Sequence, residues 1–219
     1  MTERSWFDAF PMNPIFSKEQ FESYRKVTEA NRSFYDRQLG RGARILELGC
    51  GLGVSWIPLS TLGFRVVGLD NDPRVVEAAR QNAKNFGLDC EITRGDVFDI
   101  VDRFGRDSFD ACESGGLLEH FSRGQIRTLV GDQLQVAPRV IANMPVKTEA
   151  TLRAYGIRDR QVDGKVDRNG ISRNFWDPTT WVEDILHGFH ITEHFVEKAP
   201  PTIGEFDELT VVIDRSESG

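Results

Sequence analysis

The sequence predicts an α/β fold: a mostly parallel sheet with helices on both faces, ending in an antiparallel C-terminal hairpin. Three observations carry this expectation. Seven short apolar runs recur along the chain, helical patterns are interspersed among the first five, and the last two have no helix between them. Strands alternating with helices pair in parallel through right-handed crossovers, whereas consecutive strands without a helix pair antiparallel.

Arg44 to Leu48, Phe64 to Leu69, Cys90 to Thr93, Phe109 to Cys112 and Val140 to Met144 read as buried strands, each bounded by Gly, Asp, Asn or Pro. Asp72 caps a helix that begins with Pro73, with Val76, Ala79, Ala83 and Phe86 on one face and Gly87 as its stop. Ser122 and Gln125 form a capping box ahead of Ile126, Leu129, Val130 and Leu134. Asp177 and Pro178 open a third helix that buries Trp181, Val182, Ile185 and Leu186 and stops at Gly188. His190 to Val196 and Glu208 to Ile213 are the hairpin strands, joined through the Ala199-Pro200-Pro201 turn region.

Two segments stand outside this alternation. Residues 1–40, ahead of a main domain at 41–219, hold Trp6, Phe7, Phe10, Phe16, Phe21, Tyr24, Phe34 and Tyr35. Ser17 and Gln20 make another capping box there, and Phe21, Tyr24, Val27, Asn31 and Phe34 follow a helical stripe. The segment reads as a helix packed on the sheet or as a lid over a binding cleft. Residues 147–174 are polar and too long for a plain connection, so they read as a substrate cap or a mobile insertion.

Composition narrows the function classes. The 219 residues carry 34 acidic and 27 basic side chains, a net charge of −7. That field does not favour a nucleic-acid partner. No run approaches the roughly 18 apolar residues of a membrane helix. The N-terminus, with Glu3, Arg4 and Asp8, lacks the apolar block of a secretory signal. Cys50, Cys90 and Cys112 are far apart and form no C-x-x-C pair, so neither a metal site nor a disulfide framework is indicated. The expectation is a reduced, cytoplasmic protein.

The most informative stretch is Ile45-Leu46-Glu47-Leu48-Gly49-Cys50-Gly51-Leu52-Gly53, a buried strand running into three alternate glycines and then a helical segment. Glycine lets the backbone turn sharply and lets a ligand approach without a Cβ in the way. Asp70 closes the next run, where a carboxylate can accept from both hydroxyls of a ribose. A helix cap is its plain alternative, a role Asp72 fills better. Asp96, in Arg94-Gly95-Asp96-Val97, can accept from an exocyclic amine while the Val97 amide meets a ring nitrogen. A dinucleotide fingerprint wants Gly or Ala at the sixth position, where this chain has Val54. Glu47 would repel a pyrophosphate and favour an ammonium. The ligand implied has adenine, ribose and a zwitterionic tail.

These motifs, with the fourth-strand segment FDACESGGLLEHF, resemble the class I S-adenosylmethionine-dependent methyltransferases, closely over residues 43–145. The resemblance implies a Rossmann-like seven-stranded sheet with its last strand antiparallel. It also implies that Glu47, Gly49, Gly51 and Gly53 surround the amino-acid part of the cofactor. By the same resemblance Asp70 holds the ribose with Asn71 beside it, Asp96 and Val97 read the adenine, and Glu113 lines the methyl-transfer region. Leu117-Leu118-Glu119-His120 is similar to a leucine-histidine stretch many members carry after that strand. In Asn143-Met144-Pro145-Val146, Val146 stands where small-molecule members usually have Asn.

Methyl transfer from a sulfonium is an in-line displacement that needs positioning, not a metal. The expected reaction is transfer to a nitrogen or oxygen of a small-molecule acceptor. His120 is the candidate base, with a packing or capping role as its plain alternative. Glu119 and Glu113 read either as holders of a cationic acceptor or as solvated acids, and Tyr24 and Arg25 as residues that reach the acceptor or the cofactor carboxylate. Competing readings are a nucleoside-binding protein without catalysis, a methyltransferase acting on a protein side chain, and, third, a nicotinamide-dependent oxidoreductase.

Overall fold

The computed structural model describes residues 6–9, 13–157, 163–200 and 204–216. Phe10, Pro201 and residues 158–162 of the polar insertion lie outside them. The strands are β1 (Arg44–Leu48), β2 (Arg65–Asp70), β3 (Glu91–Arg94), β4 (Ala111–Gly115), β5 (Arg139–Pro145), β6 (Lys165–Val166), β7 (Ser172–Arg173), β8 (His190–Lys198) and β9 (Asp207–Asp214). Seven of them form one sheet in the order β3-β2-β1-β4-β5-β9-β8, and β6 and β7 make a separate two-stranded ribbon. The first five pair in parallel, and β9 pairs antiparallel with both β5 and β8. The C-terminal hairpin therefore forms as expected, with its second strand inserted and β8 left at the edge.

The helices are α1 (Trp6–Ala9), α2 (Lys18–Ala30), α3 (Arg32–Gln38), α4 (Trp56–Leu59), α5 (Pro73–Asn85), α6 (Ile100–Phe104), α7 (Arg123–Val136) and α8 (Glu149–Tyr155). Alternate residues of the central strands feed two cores. Leu46, Leu48, Val140, Ala142 and Met144 face α7 and Trp181. Ile45, Ala111, Ile141 and Val212 face the other way, toward Phe21, Trp56, Val76 and Ala79. Asp72 caps α5 with Pro73 in its first turn, and both capping boxes are closed, Ser17 with Gln20 and Ser122 with Gln125.

Three expectations need correction. The N-terminal stripe is not continuous: α2 ends at Asn31, which is exposed, and the buried positions are Phe21, Tyr24 and Thr28. The break lets α3 redirect Phe34 onto Phe195 of β8, ring centroids 5.9 Å apart. The helix after Asp177 widens to a π-turn over Thr180–Ile185, closed by Leu186 N–H donating to the Trp181 carbonyl at 2.9 Å. The wider turn buries Trp181, Ile185 and Leu186 together. Finally, β4 runs on through Glu113, Ser114 and Gly115, past the end of its apolar signal, because those polar residues are interior to the sheet.

The residues before α2 are tied to the sheet by Asn82, a fully buried polar side chain on α5. Its Oδ1 accepts from Phe16 N–H at 2.9 Å, and its Nδ2 donates to the carbonyls of Pro14 and Leu52, both at 3.0 Å. One amide thus joins the N-terminal segment to the glycine turn. Replacing it by Ala leaves three backbone groups unmatched, so Asn82→Ala is expected to lose about 3 kcal/mol of stability in urea unfolding at unchanged m. A loss below about 1 kcal/mol would show that water replaces these bonds.

Candidate functional site

The parallel register brings the carboxyl ends of β1, β2 and β4 side by side, the edge at which open α/β sheets bind ligands. At the end of β1 the chain turns through Gly49, Gly51 and Gly53 with φ of 62°, 51° and 94°. A Cβ at Gly49 would stand 2.7 Å from Leu117 Cδ1, and one at Gly53 would overlap the Ile57 side chain. Over Gly51 lies the indole of Trp6, its Cη2 3.3 Å from where a Cβ would be. Asp8 of the same short helix pairs with Arg74 at 2.8 Å.

Asp70, at the end of β2, already braces this turn: its two oxygens accept from Gly51 N–H at 3.1 Å and Asp72 N–H at 3.0 Å. Burial raises its carboxyl pKa, against the lowering effect of those amides. Gly95 N–H donates to the Asp70 carbonyl at 2.9 Å, drawing the loop after β3 to the same edge. There Asp96 is exposed and caps the turn at Val97–Asp99 by accepting from Phe98 N–H at 3.0 Å, while Val97 is buried. Asn71 is exposed, and its carbonyl accepts from Arg94 Nε.

Glu47 and Glu113 stand abreast on β1 and β4, on one face of the sheet, 2% and 4% exposed. Glu47 Oε1 accepts weakly from Gly115 N–H at 3.5 Å, and Glu113 Oε1 accepts from the Tyr35 hydroxyl at 3.0 Å. The Oε2 atom of each is buried without a hydrogen-bond partner. Burial, then the neighbouring Glu113, pushes Glu47 well above the ordinary carboxylate range. Burial also pushes Glu113 up to about 7, against the lowering effect of Tyr35. Tyr35 escaped the sequence reading except as one aromatic among several, because its partner lies on a distant strand.

After β4, His120 is held at both ring nitrogens. Its Nδ1 is 2.8 Å from the Ser172 carbonyl, so this nitrogen carries the proton, and its Nε2 accepts from Arg173 at 3.1 Å. The lone pair a base would use is therefore taken up by a guanidinium. Glu119 is fully buried, with Oε1 accepting from Arg173 at 2.6 Å and Oε2 unpartnered. Asp167 takes Arg173 Nε at 3.0 Å. Part of the polar insertion is thus ordered against the site, through α8, the β6–β7 ribbon and Arg173. Arg173 was not singled out in the sequence, where it is one of many charges in a polar tract.

The two remaining candidates are less engaged. Tyr24 is buried among Phe16, Leu52 and Ala78, beneath the glycine turn. Arg25 is taken up by Glu22 one turn earlier, at 3.0 Å, in a half-exposed pair.

Residues 45–137 match the family model described as a methyltransferase domain. A ribosomal protein L11 methyltransferase of Thermosipho africanus is 41% identical over 77 residues, 35% of this chain and 30% of that protein. A ubiquinone biosynthesis O-methyltransferase of Methylocella silvestris is 30% identical over 110 residues, 50% of this chain and 42% of that protein. The chain thus spans less than half the length of these curated relatives. The magnesium protoporphyrin IX methyltransferase of Synechocystis, solved with bound S-adenosylhomocysteine, shares the fold at TM-score 0.65 and 18% identity, over 96% of this chain and 93% of that one.

The buried acids set an unusual pH dependence. Glu113, near 7 in the fold, is an ordinary acid near 4.5 when unfolded, so the folded state holds more protons between those values. Its contribution to stability is full below about 4.5 and is lost as pH rises to about 7. The loss from Glu113 alone is on the order of 3 kcal/mol. Glu113→Gln is expected to flatten this fall and to be the more stable protein at pH 8, read by urea midpoints from pH 4 to pH 8. An unchanged profile would contradict the account.

Proposed function

We propose that the chain, whose residues 45–137 match a methyltransferase-domain model, is a class I S-adenosylmethionine-dependent methyltransferase that transfers a methyl group from S-adenosylmethionine to a nitrogen or oxygen of a small-molecule acceptor. The observation that carries this reading is the pair of acids around the glycine turn. Asp70 sits at the end of β2, and Glu47 keeps a buried oxygen without a partner.

The residues fit the cofactor part by part. Glu47 Oε2 suits its ammonium, an opposite charge that also favours the ionised carboxylate. The positive-φ glycines leave backbone open to the methionine tail. Asp70 has lone pairs left for ribose hydroxyls, and Asp96 and Val97 lie where the adenine would end. When bound, the cofactor supplies a methyl group already activated by its sulfonium charge. The protein's part is to orient the acceptor and exclude water.

The cover over the edge favours a small acceptor over a folded protein. Trp6 lies on the glycine turn and Tyr35 on Glu113. In this reading the N-terminal segment is a lid, and the insertion around Arg173 is the opposite wall of the acceptor site. His120 would serve an oxygen acceptor as a base once Arg173 leaves its Nε2. Three free cysteines accord with a reducing, cytoplasmic setting. A nucleoside-binding protein without catalysis would share the cofactor contacts, and turnover of labelled S-adenosylmethionine separates the two.

Asp70→Asn weakens two charge-assisted bonds to ribose, so calorimetry is expected to show S-adenosylmethionine binding about a hundredfold weaker. Binding at wild-type strength would sink the assignment. Cofactor binding to the wild type is also expected to change tryptophan fluorescence as the Trp6 ring is displaced. Trp6→Phe should abolish that change while the cofactor still binds; a change that persists in Trp6→Phe would remove the lid.

A further inference from the structure

We propose that the acceptor is a cation, an amine or guanidinium whose nitrogen receives the methyl group, and that Glu113, Glu208 and the Tyr35 hydroxyl hold it. The inference rests on the methyltransferase reading and narrows its substrate class.

The sheet registers place these groups on one face. Glu113 on β4 lies beside Ile141 of β5, which lies beside Val212 of β9. Two and four residues further toward the ligand edge, the same face carries Asn143 with Thr210 and then Pro145 with Glu208, and Glu197 of β8 stands opposite Glu208. Asn143 Nδ2 donates to Thr210 Oγ1 at 2.7 Å, so those two satisfy each other. Burial first, and then Glu113, Glu47 and Glu208, raise the Tyr35 hydroxyl well above its ordinary range. Glu208 is itself pushed up to about 7, by burial and then by Glu197 and Glu119.

Among the described residues none of these carboxylates has a counter-ion, because the neighbouring described cations are committed elsewhere. Arg173 goes to Glu119 and Asp167, Arg37 to Glu193, Arg139 to Asp214 and Lys198 to Asp207. Glu47 Oε2 is the match for the cofactor ammonium. That leaves the buried, unpartnered Oε2 of Glu113 with nothing from the described residues or the cofactor to meet it. A buried charge without a partner is destabilising, a penalty that an apolar residue in the same strand position would avoid. A cationic acceptor removes it, whereas a neutral acceptor leaves it standing and a phosphate or carboxylate acceptor adds to it. Phe34, edge-on to Tyr35 at 5.5 Å and to Phe195 at 5.9 Å, gives the same face an aromatic wall suited to a cation's apolar body.

The chemistry balances. An ammonium must lose a proton before it can attack, and Glu113, poised near neutrality, takes it. The freed nitrogen lone pair then bonds to the methyl carbon as the carbon–sulfur bond breaks, and that electron pair stays on sulfur as a neutral thioether. The product nitrogen carries the positive charge the donor has lost, and the carboxylates on this face stabilise it.

The test uses protein saturated with S-adenosylhomocysteine and three matched probes, 2-phenylethylamine, 2-phenylethylguanidine and the neutral 2-phenylethanol, titrated by calorimetry. Both cations are expected to bind at least tenfold tighter than the alcohol. In Glu113→Gln and in Glu208→Gln that preference should fall to within threefold, with Glu208→Gln, remote from the glycine turn, still binding S-adenosylhomocysteine as the wild type does. Equal binding of the three probes, binding of none, or a preference that survives both substitutions overturns the proposal. Failure of the wild type to bind S-adenosylhomocysteine would instead overturn the methyltransferase reading beneath it.

Discussion

Two carboxylates abreast on neighbouring parallel strands, almost without solvent, are the constraint around which the ligand edge is arranged. Glu47 and Glu113 occupy interior positions that burial alone would give to valine or isoleucine, and each keeps one oxygen without a partner. Such a pair is a stability liability for the empty protein. It persists because the surrounding fold over-determines it: the β1–β4 register sets the spacing, Gly115 N–H and the Tyr35 hydroxyl hold one oxygen of each, and α3 covers the face.

The cover of this edge comes from both sides of the chain. Asn82 fixes Pro14 and Phe16 to the glycine turn, and Trp6 lies over Gly51 of the same turn. From the other side, Arg173 draws the insertion against the loop after β4 by bonding Glu119, His120 and Asp167 at once. The first tie is an amide between backbone groups, with the Asp8–Arg74 ion pair beside it, and the second is ionic.

Most of the scaffold was legible because it follows local rules. β1 coincides with its apolar run, the other sheet strands lie within a few residues of theirs, and the Asp72 cap and both capping boxes form where their residues stand. The glycine turn, Asp70 and Glu47 were legible because a strand running into alternate glycines is a local pattern with one backbone solution. What stayed hidden depends on the fold. Tyr35 meets Glu113, Arg173 meets His120 and Asn82 meets Pro14 only after distant elements pack, and no spacing announces such contacts. The polar end of β4 was missed for a related reason: Glu113 and Ser114 break the apolar signal at the point where a ligand edge needs polar groups inside the sheet. The predicted stripe is one residue out of phase at Val27, since Thr28 serves on the buried face by donating its hydroxyl to the Tyr24 carbonyl.

The central claim is that the glycine turn and its two acids grip a methionine-linked adenosine. A crystal structure of the protein soaked with S-adenosylhomocysteine tests it most directly. The account predicts ribose hydroxyls within hydrogen-bond distance of Asp70, the amino group against Glu47 Oε2, and the Trp6 ring moved off Gly51. Density for the ligand elsewhere, or a pyrophosphate-bearing molecule preferred in that turn, would contradict it.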